Sequence, residues 1–189
     1  RRVAVLGGVR IPFCRSNTFY ADLSNLEMMT GALNGLVEKF HLQGVHIDEV
    51  VGGAVVTHSR DWNLAREAVL GTELAPSTPG ITLMQACGTS LQAALMIAGK
   101  IASGQIESGI AVGSDTTSDA PVVVSKRLAK RLTEMAQQKS TWDKVKTLKG
   151  FSPAELIPQP PSVAEPQTGL SMGQHCELMA QEFQIPRAE

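Results

Sequence analysis

Cysteine is scarce in this chain, three in 189 residues. Cys14, Cys87 and Cys176 lie far apart, with no CxxC pair, which argues against both a disulfide framework and a zinc site and makes a reducing compartment the default. Aromatic residues make up only 4%, too few for base-stacking platforms. Neither charge sign dominates: 17 Lys and Arg against 18 Asp and Glu give a net charge of −1, which argues against wholesale nucleic-acid binding. No apolar run reaches the roughly 18 residues of a membrane span. No signal peptide is seen, and the start Arg1-Arg2-Val3 without methionine suggests a trimmed or partial chain. What is present, 43% hydrophobic and 19% charged residues, is the composition of a soluble globular protein with an ordinary core.

Periodicity divides the chain into alternating elements. Val3 to Leu6 reads as a buried strand ending at Gly7-Gly8. Asp22 is placed to cap a helix whose apolar residues Leu23, Leu26, Met29, Leu33, Leu36 and Phe40 recur at helical spacing, with Gly44 as its stop. Val50 to Val56 reads as a second strand, and Gly52-Gly53 marks a place where a neighbour comes close. Asn63 caps a short helix to Leu70. A third strand then runs into Cys87. A helix carrying Leu91, Ala94, Leu95, Ala98 and Ile101 follows, apolar enough to be buried on most sides. Ile110 to Gly113 is a fourth strand. Alternating strands and helices predict an α/β layer fold. Beyond Pro121 the composition changes. Residues 122 to 135 read as a helix with a basic face, and between Lys126 and Lys149 only Glu134 and Asp143 oppose a series of Lys and Arg. Pro153, Pro158, Pro160, Pro161 and Pro166 then exclude regular structure, and a helix resumes from about Met172 to Phe183.

Cys87 is the residue with chemistry in its surroundings. An apolar run, Ile81-Thr82-Leu83-Met84, leads to Gln85-Ala86-Cys87-Gly88-Thr89-Ser90 and then to a good helix. That order places a thiol on a tight strand-to-helix turn at the positive end of a helix, where free N–H groups and the macrodipole favour a thiolate and an adjacent oxyanion. The glycine after the cysteine leaves room for an acyl group. Turn geometry alone leaves two readings, nucleophile or small buried core residue.

The segment Gln85 to Ala93, Ile110-Ala111-Val112-Gly113-Ser114, Val9-Arg10-Ile11-Pro12-Phe13, Asn63-Leu64-Ala65-Arg66-Glu67-Ala68 and Ser171-Met172-Gly173-Gln174-His175 together resemble the first half of thiolases, in order and over essentially the whole chain. The basic stretch after Pro121 and the proline-rich 156–166 segment look most like the branch containing the β-subunit of the trifunctional fatty-acid oxidation complex. Two departures stand out: Thr89-Ser90-Leu91 where many thiolases carry a Ser-Gly pair, and Val112 to Thr117 where a Gly-Gly-x-Glu-x-Met run is more usual. The resemblance implies a thiolase-like layered fold, with helices around a mixed five-stranded sheet. It further implies a core over residues 1–120, an inserted loop domain over 121–171 and a returning helix over 172–189. The activity implied is cleavage of 3-ketoacyl-CoA by coenzyme A to acetyl-CoA and a shortened acyl-CoA, in fatty-acid β-oxidation. Cys87 would carry the acyl group, with its own N–H in an oxyanion hole and Gly88 beside it. Met172 and Gly173 would line the acyl or pantetheine pocket. No permanently bound cofactor and no metal are implied, coenzyme A being a co-substrate.

The base histidine of a Gly-His-Pro segment and the second cysteine of a Cys-x-Gly segment, which thiolases carry in their second half, are not in this chain. His41 and His46 flank a helix-to-strand turn, His58 follows a strand as a surface residue, and His175 lies near the Met-Gly segment. Cys14 and Cys176 read as structural. Isolated, the chain is expected to be inactive. Expected partners are acyl-CoA and coenzyme A, a second copy as a homodimer or dimer of dimers, and a hydratase/dehydrogenase subunit. The basic segment adds peripheral membrane contact, against the plainer reading of a solvated basic face. No nucleic acid is expected, and the location is cytoplasmic, or mitochondrial in a eukaryote. Alternatives are a non-catalytic thiolase-like subunit that binds acyl-CoA or lipid or serves assembly, and a Claisen-condensing ketoacyl synthase.

Overall fold

The computed structural model describes residues 1–188. They form two compact units, residues 1–121 and 122–188. In the first, three strands, β1 (Glu49–Gly53), β2 (Gly80–Thr82) and β3 (Gly109–Gly113), make an all-parallel sheet in the order β2-β1-β3. Three helices cover it: α1 (Asn25–Phe40), α2 (Leu64–Leu70) and α3 (Thr89–Ser103). Adjacent residues of β1 point to opposite faces, as a pleat requires. Val50 packs in a cluster with Val37 of α1 and Val69 of α2. Val51 packs with Ala93 and Ile97 of α3. Burial on both faces explains why β1 is wholly buried and carries no polar side chain after Glu49, whose carboxylate pairs with Lys100.

The α/β layering is as expected; of the five strands of the expected mixed sheet, three form among the described residues, all parallel. Two sequence expectations are corrected here. Val3 to Leu6 forms no strand: the segment is exposed, with Val5 and Leu6 almost fully so, because no neighbouring strand pairs with its backbone. The apolar helix α3 is buried on one side only, at Thr89, Ala93 and Ile97, while Leu91 and Leu95 remain exposed.

Local signals decide the boundaries. Ser24, not Asp22, caps α1: its Oγ accepts from the Glu27 N–H at 3.2 Å, and the Glu27 carboxylate accepts from the Ser24 N–H at 2.8 Å, a reciprocal box that Asp22 cannot form at its spacing. The helix ends at His41, itself in the left-handed region, ahead of Gly44. Asn63 caps α2 as expected, its side chain accepting from Arg66 N–H. β1 stops at Gly53 rather than Val56, because the N–H groups of Val55 and Val56 turn to the carboxylate of Asp115 at 2.7 and 3.0 Å.

Asp48 performs the matching task at the other end of the sheet. Its carboxylate accepts from the N–H groups of Glu107 and Ser108 at 2.8 and 2.9 Å, tying the entry of β3 to the entry of β1. Those bonds, the Glu107 one first, hold its carboxyl below the usual carboxylate range. A lowered native pKa means that this stabilisation is present above the unfolded value near 4 and is lost as pH falls through the native one. Asp48→Asn is therefore expected to lower the urea midpoint at pH 7 and to differ progressively less from the parent as pH falls to 3. An equal deficit at both pH values would show that the charge is not what Asp48 contributes.

In the second unit, residues 122–124 are not helical as expected. Val123 exchanges backbone hydrogen bonds with Gln159, and Ser125 caps α4 (Lys126–Gln137) by accepting from Leu128 N–H. The β-branched run Val122-Val123-Val124 favours this extended form. A short helix, α5 (Thr141–Lys146), follows. Within the proline-rich stretch Pro153–Leu156 makes one 3₁₀ turn, with the proline where its missing N–H costs nothing. The last helix, α6 (Met172–Glu182), starts at a second reciprocal box, Ser171 with Gln174.

Candidate functional site

The three strands end at the same edge of the parallel sheet, the edge where open α/β sheets bind ligands. β2 continues one residue, Leu83 N–H donating to Gly52 C=O at 2.9 Å, and the chain then leaves the sheet. It turns over Gln85-Ala86-Cys87-Gly88 into α3. Four hydrogen bonds close that turn, and Thr89 takes part in three of them. Its hydroxyl donates to Ala86 C=O at 2.8 Å and accepts from Gln85 N–H at 2.9 Å, and its N–H donates to Ala86 C=O. The fourth runs from Gly88 N–H to Gln85 C=O. Ala86 adopts φ 43°, a left-handed conformation costly for a residue with a Cβ.

Cys87 sits at the tip of this turn and is exposed. It is not a core residue. Gly88 is the N-cap of α3, and a Cβ there would lie 3.3 Å from Gln85 C=O, so the turn tolerates little bulk. Among the described residues the N–H groups of Cys87, Ser90 and Leu91 have no hydrogen-bond partner. Together with the dipole of a 15-residue helix they make an anion-favouring end beside the thiol.

Two glycines from the neighbouring strands hold the turn, and they are the functional positions that periodicity missed. A Cβ on Gly53 would fall 1.9 Å from Leu83 C=O and 3.2 Å from Thr89 Cγ2, and one on Gly113 would fall 2.2 Å from Ser90 Oγ. The Gly52-Gly53 pair marks a close approach in the sequence; what approaches Gly53, the flanks of the turn that carries Cys87, is visible only in three dimensions.

The other predicted residues are placed differently. Met172 and Gly173 open α6 in the second unit; Met172 is exposed, and the nearest heavy atom to a Cβ on Gly173 would be Ser171 Oγ at 3.9 Å. His175 is taken up within that unit by Glu165 and Thr168, at 3.2 and 3.1 Å. His58 is not a surface residue: its side chain is largely buried and is bound by the Asp119 backbone C=O, with the Asp119 carboxylate at 3.4 Å. His46 Nδ1 meets Ser77 Oγ at 3.0 Å. Arg131, counted with the basic face of α4, turns inward. It binds Glu155 and the carbonyls of Thr147, Lys149 and Gly150 at 2.8–3.0 Å. Cys14 is exposed, not structural; it lies beside Tyr20, where partial desolvation and the nearby thiol raise the phenol's pKa. Cys176 is exposed as well. Among the described residues no group of three His, Cys, Asp or Glu side chains could hold a metal ion, and no helix is long and apolar enough to cross a membrane.

A parallel sheet with one exposed thiol on a glycine-cradled turn matches a described family. The family model of the thiolase N-terminal domain covers residues 3–189. The chain belongs to the thiolase family. It is 39% identical over 188 residues to the 3-ketoacyl-CoA thiolases of Vibrio cholerae and of Shewanella sp. strain ANA-3, all of this chain being aligned with 43% of each relative. The chain thus spans less than half the length of these curated relatives. Among solved structures it superimposes on a Bacillus anthracis acetyl-CoA acetyltransferase, with TM-score 0.68 and 20% identity over 91% of this chain and 39% of that one. It also superimposes on the Acat5 thiolase from Ascaris suum in complex with coenzyme A, with TM-score 0.70 and 18% identity over 92% and 41%. The shared architecture is that of a thiolase first half.

Proposed function

We propose that this chain is the nucleophile-bearing part of a thiolase that cleaves 3-ketoacyl-CoA with coenzyme A in fatty-acid degradation. The observation that carries the reading is Cys87, exposed at the start of α3 among unpaired amides. The Cys87 thiolate attacks the keto carbon, and the oxygen becomes an oxyanion held by backbone N–H groups. The bond between the α and keto carbons breaks, and the departing acetyl-CoA enolate takes a proton. The acyl group stays on Cys87 sulfur until the thiolate of a second coenzyme A displaces it. The proton transfers need a base outside these residues: His58 and His175 are committed to carboxylates, His46 to Ser77, and His41 ends α1. In this reading residues 121–171 are the inserted loop domain, and Met172 and Gly173 contribute to the substrate pocket.

All three cysteines are exposed, so access alone does not separate them, and labelling reports the amide-lined helix end that only Cys87 has beside it. Substoichiometric iodoacetamide at pH 7, followed by peptide mapping, is expected to modify Cys87 ahead of Cys14 and Cys176, while the 189-residue chain alone cleaves acetoacetyl-CoA at least about 100-fold more slowly than a complete thiolase. First modification at Cys14 or Cys176 overturns the assignment of the nucleophile. Full turnover by the 189-residue chain overturns the absence of the base.

A further inference from the structure

Thr89 is the first residue of α3 and is buried, yet its polar atoms serve the turn before it. An N-cap side chain ordinarily binds the free N–H groups of its own helix, but Gly88, in that position, makes no such bond. The Thr89 hydroxyl runs backwards instead. Its Oγ1 accepts from Gln85 N–H at 2.9 Å and donates to Ala86 C=O at 2.8 Å. The Thr89 N–H donates to the same carbonyl at 3.2 Å. Ala86 C=O thus takes two donors from one residue. Ala86 itself is held at φ 43°, a conformation that persists only where its surroundings over-determine it. Behind this clasp stands β1: a Cβ on Gly53 would lie 3.2 Å from Thr89 Cγ2, so the turn is referenced to the buried strand through Thr89.

The Ala86 carbonyl and the Cys87 N–H belong to one planar trans peptide and point in opposite directions. Fixing the carbonyl toward buried Thr89 therefore fixes the N–H away from it, on the exposed side of the turn that carries the thiol. Among the described residues nothing pairs with that N–H. Without the clasp Ala86 relaxes toward a negative φ, the peptide plane turns, and the N–H loses its direction while the thiol stays exposed. Cys87 thus has two separable parts, a sulfur that attacks and an N–H that receives the charge. We propose that Thr89 is a positioning residue that aims the Cys87 N–H at the oxyanion formed when Cys87 is acylated, an inference resting on Cys87 being the acyl-carrying nucleophile. In that step the sulfur adds to the thioester carbonyl carbon and the π pair moves onto the oxygen. Collapse of the adduct then expels the coenzyme A thiolate. A donor accelerates this only if it is in place before the charge forms.

Two reactions of the same sulfur separate aim from reactivity. Acylation by acetyl-CoA builds an oxyanion; alkylation by iodoacetamide displaces iodide from a saturated carbon and builds none. Both are measured at pH 7 on a polypeptide in which the chain continues to the full length of its relatives. Thr89→Val keeps the shape and removes the hydroxyl, and Thr89→Ser keeps the hydroxyl. Thr89→Val is expected to acylate about 30- to 100-fold more slowly, with KM for the acyl-CoA and the iodoacetamide rate at Cys87 within about threefold of the parent. Thr89→Ser should acylate within about fivefold of the parent, because it restores both hydroxyl bonds. Thr89→Ala, which adds no bulk, is expected to show the same split as the valine variant and takes its place where valine does not fold. Acylation by Thr89→Val or Thr89→Ala within about threefold of the parent overturns the proposal, as does a serine variant as slow as valine. Acylation and alkylation falling by the same factor overturn it too, since the thiol rather than its N–H would then be impaired. Acetyl-CoA labelling a residue other than Cys87 in the parent overturns the nucleophile and the proposal together. A parent acetylated at Cys87 beside an undiminished valine variant overturns the proposal alone.

Discussion

Cys87→Ala, made in a polypeptide carrying both halves of a thiolase, is expected to lower kcat/KM for thiolysis by about 10⁴-fold or more and to abolish acyl-enzyme formation from acetyl-CoA. Loss of a nucleophile removes the covalent path altogether, and what remains comes from binding and oxyanion contacts. The side chain is exposed and makes no hydrogen bond among the described residues, so its removal should leave stability within about 0.5 kcal/mol. That separation is the point of the measurement. Cys14→Ala and Cys176→Ala, at residues that are also exposed, should stay within about twofold of the parent. A Cys87→Ala enzyme that still turns over at parental rates, or an activity loss accompanied by unfolding, would remove Cys87 from the role given to it here.

Gly53→Ala is expected to cost about 3 kcal/mol, near the upper end of overpacking effects, and to lower the melting temperature by about 10 °C. The new methyl group would meet Leu83 C=O at 1.9 Å. That oxygen is backbone, one residue past β2, and it cannot swing away as a side chain can. Relief must come from moving the turn that carries Cys87, so the iodoacetamide reactivity of Cys87 should fall as well. Gly99 provides the control. It lies within α3 with nothing within 4 Å of a Cβ, and Gly99→Ala should stabilise by about 0.5–1 kcal/mol through helix propensity alone. Equal effects of the two substitutions would show that β1 and the turn that carries Cys87 are not in the contact described.

Local chemistry was legible wherever a residue's role depends on its near neighbours in the chain. Asn63 as a cap, the bounds of α6 and the position of Cys87 before a helix all follow from spacing within a few residues. Asp22 was misread because both it and Ser24 are capping residue types; Glu27 decides between them, as it completes a reciprocal box only with Ser24. The extended form of residues 122–124 escaped notice because its partner, Gln159, lies in a stretch where the prolines obscured any pairing.

By itself, then, the sequence determined the alternation of strands and helices, the α/β layer class and the single thiol at a helix start, since each depends on periodicity and on turn chemistry within about ten residues. Tertiary structure alone decided whether Cys87 is exposed or buried, which carbonyl presses on Gly53, that Asp48 and Asp115 lock opposite ends of the sheet, and that Arg131 and His58 are internal partners rather than surface charges. It also decided that Val3 to Leu6, strand-like in every residue, stays outside the sheet. A strand is made by its neighbour's hydrogen bonds, and those bonds join residues too distant in the chain for any local pattern to record.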